Sequence, residues 1–156
     1  AKICLLLETT EALCRIDDIL EVDGIDEIHI GLNDLHLSMN LDFMFELLSG
    51  GLVDYLANKI KNKKIPFGFG GIATLDSGMI SGEMVLKEHI RLDSSIVILS
   101  RAFKNVAAED FAKFEKEFLK LKLRLEELKK DKNIDFISNI KEIKKAVKKI
   151  VESKGN

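Results

Sequence analysis

Along the first hundred residues, apolar positions switch between two spacings. Residues 3–8 form a short apolar run ending in a carboxylate, and residues 27–31, 66–71 and 95–101 form three more, each of strand length. Between them the spacing is helical. Over residues 10–22, Leu13, Ile16, Ile19 and Leu20 share one face, with Thr9 or Thr10 as N-cap and Gly24 just past the end. A polar loop follows the second strand, and residues 42–48 predict a short helix. Residues 52–62 predict a longer one with Val53, Leu56, Ala57 and Ile60 on one face, and residues 83–90 another. Strands apolar on both faces belong inside a parallel sheet. Four of them alternating with helices predict an α/β fold with a parallel sheet, open or closed into a barrel. In both architectures chemistry collects at the carboxyl ends of the strands. The first strand starts at residue 3 yet has the composition of a central strand, which predicts that an amino-terminal portion precedes it.

From Val106 the pattern changes. Phe111, Phe114, Phe118, Leu121, Leu125 and Leu128 are spaced alternately by three and four, the signature of a helical packing seam. Ile134, Ile137, Ile140, Ile143, Val147 and Ile150 form a second stripe. Two amphipathic helices joined near residues 131–133 are expected. They make residues 106–156 a helical extension, packed on the sheet domain of residues 1–105 or on another subunit. The charge divides at the same place. Residues 106–156 carry 14 Lys and Arg against 10 Asp and Glu, and residues 1–105 carry 10 against 16. The lysines of the extension are interleaved with acids, which reads as a solvated helix face.

The whole chain of 156 residues has room for one core, or for one domain with an appendage. Hydrophobic residues at 46% and charged residues at 32% describe a folded globular chain. A net charge of −2 gives no field that would recruit nucleic acid. No apolar run is long enough for a membrane span, and no signal peptide is visible. Cys4 and Cys14 lack metal-site spacing and read as reduced core thiols of a cytoplasmic protein.

Two carboxylates carry the candidate chemistry. Glu8 ends the first strand, and Asp34 follows the second within Gly31-Leu32-Asn33-Asp34. A strand, a helix and a return strand need about the number of residues that separates them. That spacing brings both to one edge of a parallel sheet, where two hard oxygen ligands suit a divalent cation such as Mg²⁺. Gly31 permits close backbone approach, and the N–H groups of residues 31–34 are candidates for an anion nest. His29 and His36 read as structural histidines, and His89 as a surface residue. Gly68, Gly70 and Gly71 only loosely resemble a phosphate cradle, and close strand approach explains them equally. Arg101, at the end of the fourth strand, is placed to clamp an anion or to pair with the acidic rim. No nucleophile elbow and no Walker loop are present.

The series Leu7-Glu8-Thr9-Thr10-Glu11-Ala12-Leu13, Ile16-Asp17-Asp18-Ile19-Leu20, Gly24-Ile25-Asp26 and Ile30-Gly31-Leu32-Asn33-Asp34-Leu35 resembles the HpcH/HpaI aldolase and citrate lyase family. The resemblance implies that residues 1–105 are strands five to eight of a (β/α)₈ TIM barrel, with the tail corresponding to the helices that follow it. It implies that Glu8 and Asp34 hold Mg²⁺ or Mn²⁺, chelated by pyruvate or a related 2-oxo acid. Backbone N–H groups around Leu32, Asn33 and Asp34 would hold the substrate carboxylate, with Gly31, Gly70 and Gly71 lining the site. The implied activity is carbon–carbon lysis, in which a cation on the keto oxygen stabilises the enolate left when the adjacent bond breaks. Leu6, Leu32 and Asn33 depart from the family pattern and point to a divergent subfamily. The family's catalytic Arg and acid/base His lie on its early strands and have no counterpart in this sequence. The chain is therefore expected to be a fragment, or a half barrel completed by a second copy or a complementing half. Two other readings stand beside this one. One is a non-catalytic assembly module; the other is a phosphate-binding α/β barrel enzyme using Gly70, Gly71 and Arg101.

Overall fold

The computed structural model describes residues 1–154, so the last two residues of the predicted 106–156 extension lie outside the described residues. Strands β1 (Cys4–Leu7), β2 (Glu27–Ile30), β3 (Phe67–Ile72) and β4 (Ile96–Leu99) form one parallel sheet in sequence order. Leu6 stands opposite His29, His29 opposite Gly68, and Gly68 opposite Ile96. Alternation along the strands separates two faces. Leu7, Ile28, Ile30, Phe67 and Phe69 point to one face and are fully buried in the core. On the other face Leu6 is 53% and Ile98 51% exposed. Each outer strand pairs on one side only, so the sheet has open edges at β1 and β4 among the described residues.

The connections are helical. The predicted helix over 10–22 is instead two, α1 (Thr10–Cys14) and α2 (Ile16–Leu20), because Arg15 leaves helical geometry at φ −106. Thr9 is the N-cap, its side chain accepting the Ala12 N–H. The polar loop expected after β2 holds a helix, α3 (Leu32–Ser38), which buries Leu32, Leu35 and His36. Then come α4 (Glu46–Ser49), α5 (Leu52–Asn62) and α6 (Gly82–Leu92), with Val53, Leu56, Ala57 and Ile60 all buried as predicted. The fourth strand is shorter than expected. Ser100 accepts the Ala102 N–H and starts α7 (Arg101–Glu109), so the compositional change at Val106 falls inside a helix.

The tail forms α8 (Phe111–Lys130) and α9 (Phe136–Lys154). Helix α8 lies on α6 and α7, and α9 on α4 and α6. The α8 seam is buried at Leu121 and Leu128, while Phe111 at its start is exposed. Phe114 stacks on Phe118 and meets Phe103 of α7 edge-on. In α9, Ile137 faces solvent and Asn139 is buried in the packed face instead. A repeat of three residues drifts around a helix of 3.6 residues per turn, so the stripe cannot stay on one face. Both tail helices are tied by polar contacts. Arg124 forks onto Glu83, and Asn139 Nδ2 donates to Glu88 Oε1 at 2.7 Å and to the Met84 carbonyl at 3.1 Å.

The two thiols depart from expectation. Cys4 and Cys14 are free and exposed, not buried in the core, because Cys4 lies on the edge strand β1 and Cys14 ends the short helix α1. No helix among the described residues is long and apolar enough to cross a membrane.

Candidate functional site

Glu8 follows β1 and Gly31 follows β2. The Gly31 N–H donates to the Leu7 carbonyl at 3.0 Å, which sets the two strand ends side by side. The Glu8 side chain then lies over the bare Cα of Gly31. A Cβ built on Gly31 falls 2.7 Å from Glu8 Oε2 and 2.9 Å from its Cβ, so any larger residue there displaces the carboxylate. The chain turns from Gly31 directly into α3, and Asp34 sits in its first turn. No side chain caps this turn. The expected loop nest of residues 31–34 is therefore the opening of a short helix. Leu32 is buried, and a Cβ built on Gly70, whose φ is +54°, would lie 2.8 Å from Leu32 Cδ1. The glycine of β3 thus gives α3 the room to reach the sheet.

Glu8, Gly31, Leu32, Asn33, Asp34, Gly70 and Gly71 all line one cavity of about 210 Å³ at the carboxyl ends of the strands. Its remaining walls are Leu6, His29, Met44 and Ile98. Three of these four carry a signal in the sequence. Leu6 is two residues before Glu8 and His29 two before Gly31, so strand alternation puts them on the same face, and Ile98 is on the inward side of the fourth strand. Met44 belongs to the segment before α4, and no spacing rule reaches it.

Neither Glu8 nor Asp34 has a cationic partner among the described residues; Asp34 receives only a long 3.5 Å contact from Asn33 Nδ2. Both carboxylates line the same cavity, where their like charge would favour a cation. No group of three or more His, Cys, Asp or Glu placed to hold a metal occurs among the described residues. The cavity wall offers two carboxylates, Glu8 and Asp34, as hard oxygen donors. The pair does not fit a closed structural site.

The histidines divide. His36 is buried and bonds the Leu32 carbonyl through Nδ1 at 3.2 Å, as a structural histidine does. His29 is only 3% exposed, and its Nδ1 has no partner among the described residues, so it is not the fully satisfied histidine that was expected. Burial lowers its pKa, partly offset by the Gly70 backbone. His89 is buried, not at the surface. It stacks on Phe69 with ring centroids 4.0 Å apart, and its Nδ1 bonds Ser94 Oγ. Burial, with the nearby His29, pushes its pKa down to about 3. Both imidazoles are thus neutral at pH 7. Arg101 is exposed at the start of α7, outside the cavity wall and without an acidic partner among the described residues.

Comparison of the chain with protein-family models, with curated proteins and with solved structures finds no match.

Proposed function

We propose that this chain is one half of a (β/α)₈ barrel of the metal-dependent aldolase and lyase type, which binds Mg²⁺ or Mn²⁺ together with a pyruvate-like 2-oxo acid. One observation carries the reading. The seven residues singled out by spacing and motif, far apart in sequence, line a single cavity at the strand ends. Glu8 and Asp34 would hold the cation, and their two negative charges leave it near neutral with positions free for a bidentate ligand. When bound, the metal supplies Lewis acidity at the keto oxygen of the 2-oxo acid. Gly31 leaves room for the Glu8 carboxylate to lie flat at the cavity wall. The uncapped N–H groups at Leu32, Asn33 and Asp34 are the donors for the ligand carboxylate. Leu6, Met44 and Ile98 present an apolar wall beside the ligand. His29 is a neutral group in the same wall and orients the ligand without adding charge.

The half barrel alone lacks the family's Arg and acid/base His, so it binds metal weakly and turns over little. Calorimetric titration with Mn²⁺, with and without pyruvate, tests the reading. Pyruvate and Mn²⁺ are expected to strengthen each other's binding reciprocally. Independent binding of the two, or a response to phosphate with none to Mn²⁺, overturns it in favour of the phosphate-binding alternative.

A further inference from the structure

The inward face of the sheet and its two edges ask for one more thing than a ligand. Leu6 and Ile98 stand on that face more than half exposed, and Ile3 just before β1 is 58% exposed. Among the described residues, strands β1 and β4 each offer an unpaired row of N–H and C=O groups, an arrangement that invites another strand. All four strands are parallel, so β4 can accept at its free edge only a strand running in the same direction if the sheet is to close. A second copy provides one. Turned by a two-fold axis along the centre of the face, its β1 meets β4 and its β4 meets β1, giving eight parallel strands with no edge left.

The charges beside the two edges match at the carboxyl rim. Glu8 and Glu11 flank the end of β1, and Arg101 and Lys104 start the helix after β4. None of the four has an ion-pair partner among the described residues. A shallow groove beside α1, lined by Thr10, Glu11, Cys14 and Arg15, leaves room for a neighbouring helix.

We infer that two copies of this chain close into one eight-stranded barrel, β4 of each lying along β1 of the other, with Arg101 brought to the rim of the cavity that holds the partner's Glu8. The inference rests on the half-barrel reading of the sheet and not on the metal. Each cavity then gains a second wall and a guanidinium that the single chain does not place there.

Sedimentation equilibrium of the 156-residue chain tests this, with circular dichroism of every variant to confirm folding. A dimer is expected. Leu6→Lys/Ile98→Lys is expected to weaken it by roughly tenfold or more, since buried lysines face each other across the closed barrel. Glu11→Lys and Arg101→Glu are each expected to weaken it, and the double variant to recover, because the swap restores the pairing across the seam. A monomer throughout the micromolar range overturns the inference. So does a dimer that ignores these substitutions and dissociates instead with Leu119→Lys/Leu123→Lys, which would place the contact on the exposed face of α8. The metal reading fails separately: a dimer that does not respond to Mn²⁺ leaves closure standing, and a monomer that binds Mn²⁺ through Glu8 removes closure alone.

Discussion

A Cβ on Gly31 would meet the Glu8 side chain more closely than real Cβ atoms do, which makes a single methyl group informative. Gly31→Ala is expected to push the Glu8 carboxylate off the cavity wall, weakening Mn²⁺ binding roughly tenfold while costing about 1–3 kcal/mol of stability. Electron paramagnetic resonance of Mn²⁺ and urea denaturation read the two effects, and unchanged metal binding would show that the Glu8 position is not used. His89 gives a second prediction at this scale. Its folded pKa lies near 3, below the ordinary 6.5, so the unfolded chain binds the extra proton between those values. Its contribution to stability is therefore intact above about pH 6.5 and is lost as pH falls towards 3, by about 1.4 kcal/mol per pH unit. Urea denaturation at pH 7.5 and pH 5.5 should show this loss, and His89→Leu should reduce it. That Glu8, Asp34 and the glycines share one cavity was legible because they sit at strand ends whose spacing matches βα units. That His89 is buried was not legible, because that depends on which face of α6 meets Phe69.

Among the elements, the periodic ones were legible and the junctions were not. The face of α5 is the face its spacing predicts, since Val53, Leu56, Ala57 and Ile60 follow the helical repeat. The break at Arg15 and the onset of α3 at Leu32 escaped: no Gly or Pro marks Arg15, and Gly31 before Leu32 reads equally well as the start of a loop. Asn139 escaped for a related reason. A polar residue in an apolar stripe reads as the exposed edge, yet here it faces the fully buried Glu88 carboxylate. That carboxylate is also held by Arg91 at 2.7 Å, and Arg91 reaches on to Asp54 at 2.6 and 3.0 Å, so one network joins α5, α6 and α9. Arg91→Ala leaves Glu88 buried without a cation. It is expected to cost about 2–3 kcal/mol, less than a wholly buried pair because Arg91 keeps contact with water. Chemical denaturation measures this, and hydrogen exchange should show α9 opening first. A loss below about 0.5 kcal/mol would mean that the network is not what holds the tail.

At the scale of the molecule, a parallel sheet with helices and a basic two-helix tail was readable from the alternation of periods and the change in charge. The tail's destination was not, since a seam on a helix does not say which surface it meets. It lies on α4, α6 and α7, which leaves Leu6 and Ile98, on the outer strands of the opposite face, more than half exposed while His29 between them is buried. That exposure links the two proposals, because the face that carries Glu8 is the face that a second copy would close. The claim on which the functional account turns is that Glu8 and Asp34 together hold a divalent cation. It is tested most directly by titrating Mn²⁺ into the wild-type chain, Glu8→Gln and Asp34→Asn, with circular dichroism confirming that all three are folded. The account predicts saturable binding to the wild type and a loss of roughly tenfold or more in each variant; equal binding by all three would contradict it.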